Sequence, residues 1–228
     1  MEQFPVYGDM RTLAFCAFCG GGTGTRDHCP SRVFLDEPYP ENLPVVPACS
    51  DCNVGFSEDE EYFACLVSCI IAGSTDPDAM PREKTNRILN SKPALRARIE
   101  QSRSVIDGIT FFNPEHERVQ AVFTKLAQGH ALYELHESCV HSPDSYVCLP
   151  LQLMSEEQLH NFENPELQDV WPEVGSRAMQ RAAIGTDVTL GGWLDVQVGR
   201  YRFHASQGCG IDVRIVIHEY LACHVHWE

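Results

Sequence analysis

Cys16-Ala17-Phe18-Cys19 and Cys49-Ser50-Asp51-Cys52-Asn53, separated by 29 residues, bracket the stretch that decides how this chain begins to fold. Between them lie Arg26-Asp27-His28 and Glu41-Asn42-Leu43-Pro44. A two-residue spacing lets both thiolates of a pair face one ion from a single turn. Four thiolates at ~2.3 Å in a tetrahedron make a closed structural zinc site, so Cys16, Cys19, Cys49 and Cys52 are the expected Zn²⁺ ligands. The gap is longer than a simple zinc ribbon needs, so something must be built inside it. Pro38, Pro40, Pro44 and Pro47 exclude a long helix there. The run Gly20-Gly21-Gly22-Thr23-Gly24-Thr25 lacks the Gly-Lys-Ser/Thr ending of a phosphate-cradling loop and reads as a hairpin turn. The segment is expected to be hairpin and loop, with the second cysteine pair opening a helix.

In order and type, the Cys-x-x-Cys-Gly knuckle, the Asp-His pair and the ending Asn42-Leu43-Pro44 … Cys49-x-x-Cys52-Asn53 resemble the HNH endonucleases and their ββα-metal fold. The resemblance covers about residues 14–56. It implies that His28 is the general base, since an imidazole titrates near the working pH. It implies that Asp27 and Asn53 offer oxygens to Mg²⁺ or Mn²⁺, ions that favour oxygen ligands. Asn42 matches the asparagine that orders the loop beside the base. Three positions depart from the family: Asn53 stands at the last position in place of histidine, a variant common in active members, Phe56 stands where a lysine is frequent, and Cys29 directly follows the base, a thiol that could divert a soft metal.

The 228 residues carry a net charge of −15, which opposes polyanions at long range. The charge is uneven. Residues 1–75 hold three Lys and Arg against eleven Asp and Glu, and residues 131–228 hold five against fourteen. Residues 82–103 hold seven basic residues against two acidic ones: Arg82, Lys84, Arg87, Lys92, Arg96, Arg98 and Arg103. This stretch is the expected phosphate-contacting surface, with a solvated charged face as the alternative. Eleven cysteines, with no basic and then apolar leader at Met1–Arg11, suggest thiols and metal ligands in a reducing cytoplasm. No apolar run approaches the ~18 residues of a membrane span.

Farther along, Ser57-Glu58-Asp59-Glu60 has the form of a capping box opening a helix over 57–72 that ends at Gly73. Cys65 and Cys69 on it are expected in the core. Helices are expected at 82–90 and 93–106, and Pro114 opens a longer one to about His136. A strand is expected at Tyr146–Leu153, then a second capping box at Ser155-Glu156-Glu157-Gln158 and weak helix over 173–183. The end alternates apolar and polar residues, giving a hairpin about Gly199 and a three- or four-stranded antiparallel sheet. His204, His218, His224, His226, Cys209 and Cys223 lie there, but strand alternation keeps Cys223 and His224 from one face.

The expected fold class is α+β: a zinc module at 1–75, a helical segment at 76–138, and a mixed region at 139–228 ending in antiparallel sheet. Two functions follow. One is an HNH-type endonuclease acting on nucleic acid, DNA first. The other is a non-catalytic zinc-stabilised module that binds a protein partner, which could also dock through the acidic C-terminal region.

Overall fold

The computed structural model describes residues 13–41, 43–165, 172–184 and 192–228. The chain is α+β and forms two compact units, Met1–Val54 with Phe123–Glu228, and Gly55–Val122. These units cut across the three segments expected from sequence. The first cysteine pair and the hairpin fold with the second half of the chain, while the helix after Phe56 belongs to the other unit. Long-range contacts cause this: the Cys29 thiol lies 3.6 Å from the Leu126 carbonyl oxygen.

In the first unit, β1 (Thr25–His28) and β2 (Val45–Ala48) pair antiparallel, with Asp27 opposite Val46 and His28 opposite Val45. All four residues of β2 are buried, which its apolar Val-Val-Pro-Ala sequence permits. Among the described residues, the prolines between the strands leave only the short 3₁₀ turn Arg32–Phe34. α1 (Ser50–Gly55) begins within the second cysteine pair. This is the expected order of hairpin and then helix.

The same unit holds a five-stranded antiparallel sheet in the order β5-β9-β8-β7-β6. Its strands are β5 (Ser145–Pro150), β6 (Leu194–Gln197), β7 (Tyr201–Gln207), β8 (Ile211–Ile217) and β9 (Leu221–Trp227). β5 joins on the edge, so the sheet is wider than expected. Gly199, at φ 71°, makes the β6–β7 turn. Tyr201, Phe203, Val213, Ile215, Val225 and Trp227 are buried, as period-two alternation requires. A long helix, His116–His130, continues as a π turn through Leu135 and ends at His136 in the left-handed conformation. The buried His130 ring stacks on Phe203 at 3.7 Å between centroids and meets the Tyr201 hydroxyl at 2.8 Å. On the other face, Phe162 packs on Val216 and Ala222. Phe162 belongs to the helix Glu156–Glu163, whose Ser155–Gln158 capping box forms as expected. The last described helix is Arg177–Ala183.

The second unit contains α2 (Ser57–Ala72), α3 (Glu83–Ser91) and α4 (Pro93–Gln101). The long helix His116–His130 is therefore α5, and Glu156–Glu163 and Arg177–Ala183 are α6 and α7. Two expectations change here. The N-cap position falls on Phe56, one residue before Ser57: Phe56 is already helical and its carbonyl accepts from the Glu60 N–H at 2.9 Å. The helix expected over 93–106 stops at Gln101, and β3 (Arg103–Ile106) pairs with β4 (Ile109–Phe112). Asp107 and Gly108 between them both have positive φ, the signature of a two-residue hairpin turn. Cys65 and Cys69 are buried as expected, and burial pushes both thiols up to about 12. Among the described residues, no helix is long and apolar enough to cross a membrane.

Candidate functional site

The first cysteine pair sits in a turn closed by the Gly20 N–H donating to the Cys16 carbonyl at 2.9 Å and the Cys16 N–H donating to Gly21 at 2.8 Å. Gly20 takes φ 71°, which explains a glycine directly after the pair. In the second pair, the Cys52 N–H points at the Cys49 sulfur at 3.4 Å. The four sulfurs of Cys16, Cys19, Cys49 and Cys52 all lie within 4.8 Å of one another, and Cys19 and Cys49 are 3.9 Å apart. A tetrahedron of Zn–S bonds of ~2.3 Å has edges of ~3.8 Å, so the set is compatible with one structural zinc ion. Burial raises the Cys16 thiol, but backbone N–H groups of Cys49, Phe18 and Cys19 outweigh it and bring that thiol down to about 7. Burial and neighbouring thiols push Cys52 up.

The hairpin carries Asp27 and His28 as neighbours on β1. Burial is the largest influence on His28 and lowers it, and the charge of Arg32 acts the same way. Asp27 and a hydrogen bond to the Pro44 carbonyl act oppositely without prevailing. The ring is therefore neutral at neutral pH. Its Nδ1 is buried with no hydrogen-bond partner.

Asp27 faces a residue that the motif does not contain. Lys125 of α5 is only 2% exposed, and its Nζ lies 2.6 Å from Asp27 Oδ2. The contact is an ion pair without the alignment of a hydrogen bond. The same ammonium donates to Ser31 Oγ at 3.0 Å and lies 5.5 Å from the centre of the Phe18 ring. A lysine on the apolar stripe of a helix was the signal for it in the sequence, because a buried ammonium needs a carboxylate.

Asn53, on α1, spends its amide nitrogen on Thr25 Oγ1 at 3.1 Å and the Arg26 carbonyl at 3.2 Å. It staples the helix to the strand just before Asp27. Asn42 lies outside the described residues. Cys29 is buried, with its thiol turned toward the Leu126 carbonyl and away from any shared metal site.

The basic stretch belongs to the second unit. Lys92 pairs with Glu61 at 2.5 Å, and Arg98 grips Glu115 with two bonds of 2.5 and 2.6 Å. Arg103 meets Glu100 at 3.2 Å and Arg87 meets Glu83 at 3.6 Å. Arg82 is 3% exposed, withdrawn from solvent. Lys84 is on α3, and Arg96 lines a shallow groove of about 410 Å³ with Thr75, Asp76, Glu100 and Arg103. Carboxylates thus already compensate much of this surface.

The C-terminal histidines and cysteines do not converge on one point. His224 and His226 both reach Asp212, at 2.6 and 3.3 Å, while Cys223 lies on the opposite face, across from Cys148 of β5. Among the described residues, Cys16, Cys19, Cys49 and Cys52 are the one group of three or more metal-capable side chains that come together. Comparison of the chain with protein-family models, with curated proteins and with solved structures gives no match.

Proposed function

We propose that the cysteine-pinned hairpin and helix form an HNH-type hydrolase of phosphodiester bonds in nucleic acid, DNA first. His28 carries the reading. Burial and the Arg32 charge hold it below the usual histidine range, so the ring is neutral at neutral pH, as a base must be. It sits on a strand tied to α1 through Asn53. In the reaction, water attacks phosphorus, its proton passes to His28, the bridging P–O bond breaks, and the leaving oxygen takes a proton from solvent. Zinc in a four-thiolate site has no open position, so it pins the hairpin and takes no part in the chemistry. A Mg²⁺ or Mn²⁺ ion on Asp27 and Asn53, as the resemblance implies, does not fit the side chains as they stand. The carboxylate is already paired with the buried ammonium of Lys125.

The test is nicking of supercoiled plasmid at low salt. His28→Ala is expected to slow it by about 10²–10⁴ while zinc content stays at wild-type level. Equal nicking by both proteins would end the hydrolase reading. A specific observation favours the second reading, a non-catalytic zinc-stabilised protein-binding module: the chain is at net −15 and several of its basic side chains already hold carboxylates. A wild-type chain that neither nicks nor retains DNA at low salt would put that reading first.

A further inference from the structure

We infer that the Lys125 ammonium is the resident cation of this site. It fills, as a covalently held side chain, the place beside Asp27 that a divalent ion would take, and the site binds neither Mg²⁺ nor Mn²⁺.

The position is built on three sides. Asp27 supplies the counter-charge at 2.6 Å, Ser31 accepts at 3.0 Å, and the face of Phe18 lies 5.5 Å away. An ammonium has three donors and no acceptor, so a carboxylate, a hydroxyl and an aromatic face make a fitting set. Lys125 is also held in place through its helix. One residue on, the Leu126 carbonyl meets the Cys29 thiol at 3.6 Å. Four residues on, Gly129 brings the helix so close that an added Cβ would stand 2.6 Å from the Cys29 sulfur. α5 therefore cannot drift from the hairpin end, and its lysine cannot swing out cheaply. A hard divalent ion keeps several waters and is held by one or two carboxylates. Here the one carboxylate of the set is already paired with an ammonium. The ammonium at Asp27 would also repel a second cation at that distance. Lys125 acts through Asp27, so it is a positioning residue.

The test is Mn²⁺ titration of the zinc-loaded full chain, followed by electron paramagnetic resonance at neutral pH. Wild type and Asp27→Asn should bind Mn²⁺ equally, at the background level of an acidic surface. Lys125→Met keeps the length and removes the charge. It should gain one Mn²⁺ per chain over wild type, and adding Asp27→Asn should remove that gain. A purely structural lysine would leave Mn²⁺ binding unchanged, so a Lys125→Met chain that keeps its zinc and gains none overturns the inference. So does wild-type binding that Asp27→Asn reduces. If Lys125→Met fails to hold zinc, the wild-type and Asp27→Asn comparison still decides. The cation position is interpreted through the proposed hydrolase, so nicking is measured in parallel. Nicking that persists in buffer without divalent ions other than the bound zinc supports the resident cation. A Mn²⁺ result as expected, with no nicking, removes the hydrolase alone.

Discussion

The β1–β2 hairpin and the β5–β9 sheet belong to one folded unit, yet different forces hold them. The hairpin has strands of four residues and gathers four thiols beside them. The sheet has three successive strands of seven residues and buries Tyr201, Phe203, Val213, Ile215, Val225 and Trp227. Fully burying such a side chain contributes about 1.5–3 kcal/mol. Six of them leave the sheet no need of a metal, whereas a short hairpin interrupted by prolines is marginal without one. The candidate site sits on the weaker element, where a fixed geometry must come from ligands and ion pairs.

The sharpest way to break the comparison is to remove the proposed zinc. Cys49→Ser should release zinc and melt the hairpin, because structural zinc contributes about 10–16 kcal/mol in small zinc-folded peptides. Elemental analysis should fall from one zinc per chain to none. Amide exchange should become fast at 25–28 and 45–48 and stay slow in β7, β8 and β9. Loss of protection in both regions together would show that the sheet depends on the metal too.

The converse change attacks the sheet. Phe203→Ala removes the ring that stacks on His130 at 3.7 Å and leaves a cavity. It should cost about 3–5 kcal/mol in denaturant unfolding with zinc content unchanged.

Acid should also separate the regions. Burial pushes His130 down to about 3. An unfolded histidine takes up a proton near pH ~6.5, so between these two values the unfolded chain binds a proton that the folded chain refuses. Stability of the sheet should therefore fall as pH drops through that window, by up to ~1.4 kcal/mol per pH unit. Urea midpoints for sheet residues would check this. A flat profile would mean that His130 charges in place.

Much of this was legible where local chemistry decides. The cysteine pairs, the helix closed by Gly73 and the hairpin about Gly199 each carry a spacing or a turn residue that allows one reading. Asp107-Gly108 was equally legible, but the charges from Arg96 to Arg103 read as the continuation of a helix. The partner of Asp27 was not legible by motif. Lys125 lies 98 positions beyond it, and only its place on a buried stripe of α5 sets it apart. Compensation of the basic stretch also depends on the fold, since Glu61 and Glu115 lie outside that stretch in sequence.

The smallest change tests the seam where α5 meets the hairpin. Gly129 faces Cys29, and an added Cβ would stand 2.6 Å from that sulfur and 3.2 Å from its Cβ. The cysteine cannot retreat easily, being 3% exposed. Gly129 itself is helical, so a methyl there brings no backbone strain and in a free helix would be favourable by about 1 kcal/mol. Any loss of stability in Gly129→Ala is thus a measure of crowding, expected at about 1–3 kcal/mol. Cys29→Ala removes the offending sulfur, so the double variant should regain most of that loss, with a coupling well beyond ~0.5 kcal/mol. Exchange protection should drop first on the hairpin side, at 25–28, because the His130–Phe203 stack on the sheet side is untouched. If Gly129→Ala is neutral or stabilising, α5 has room to move away from the hairpin. Lys125 would then be free to leave Asp27, and the cysteine-pinned hairpin and the core-held sheet would be coupled less rigidly than the seam suggests.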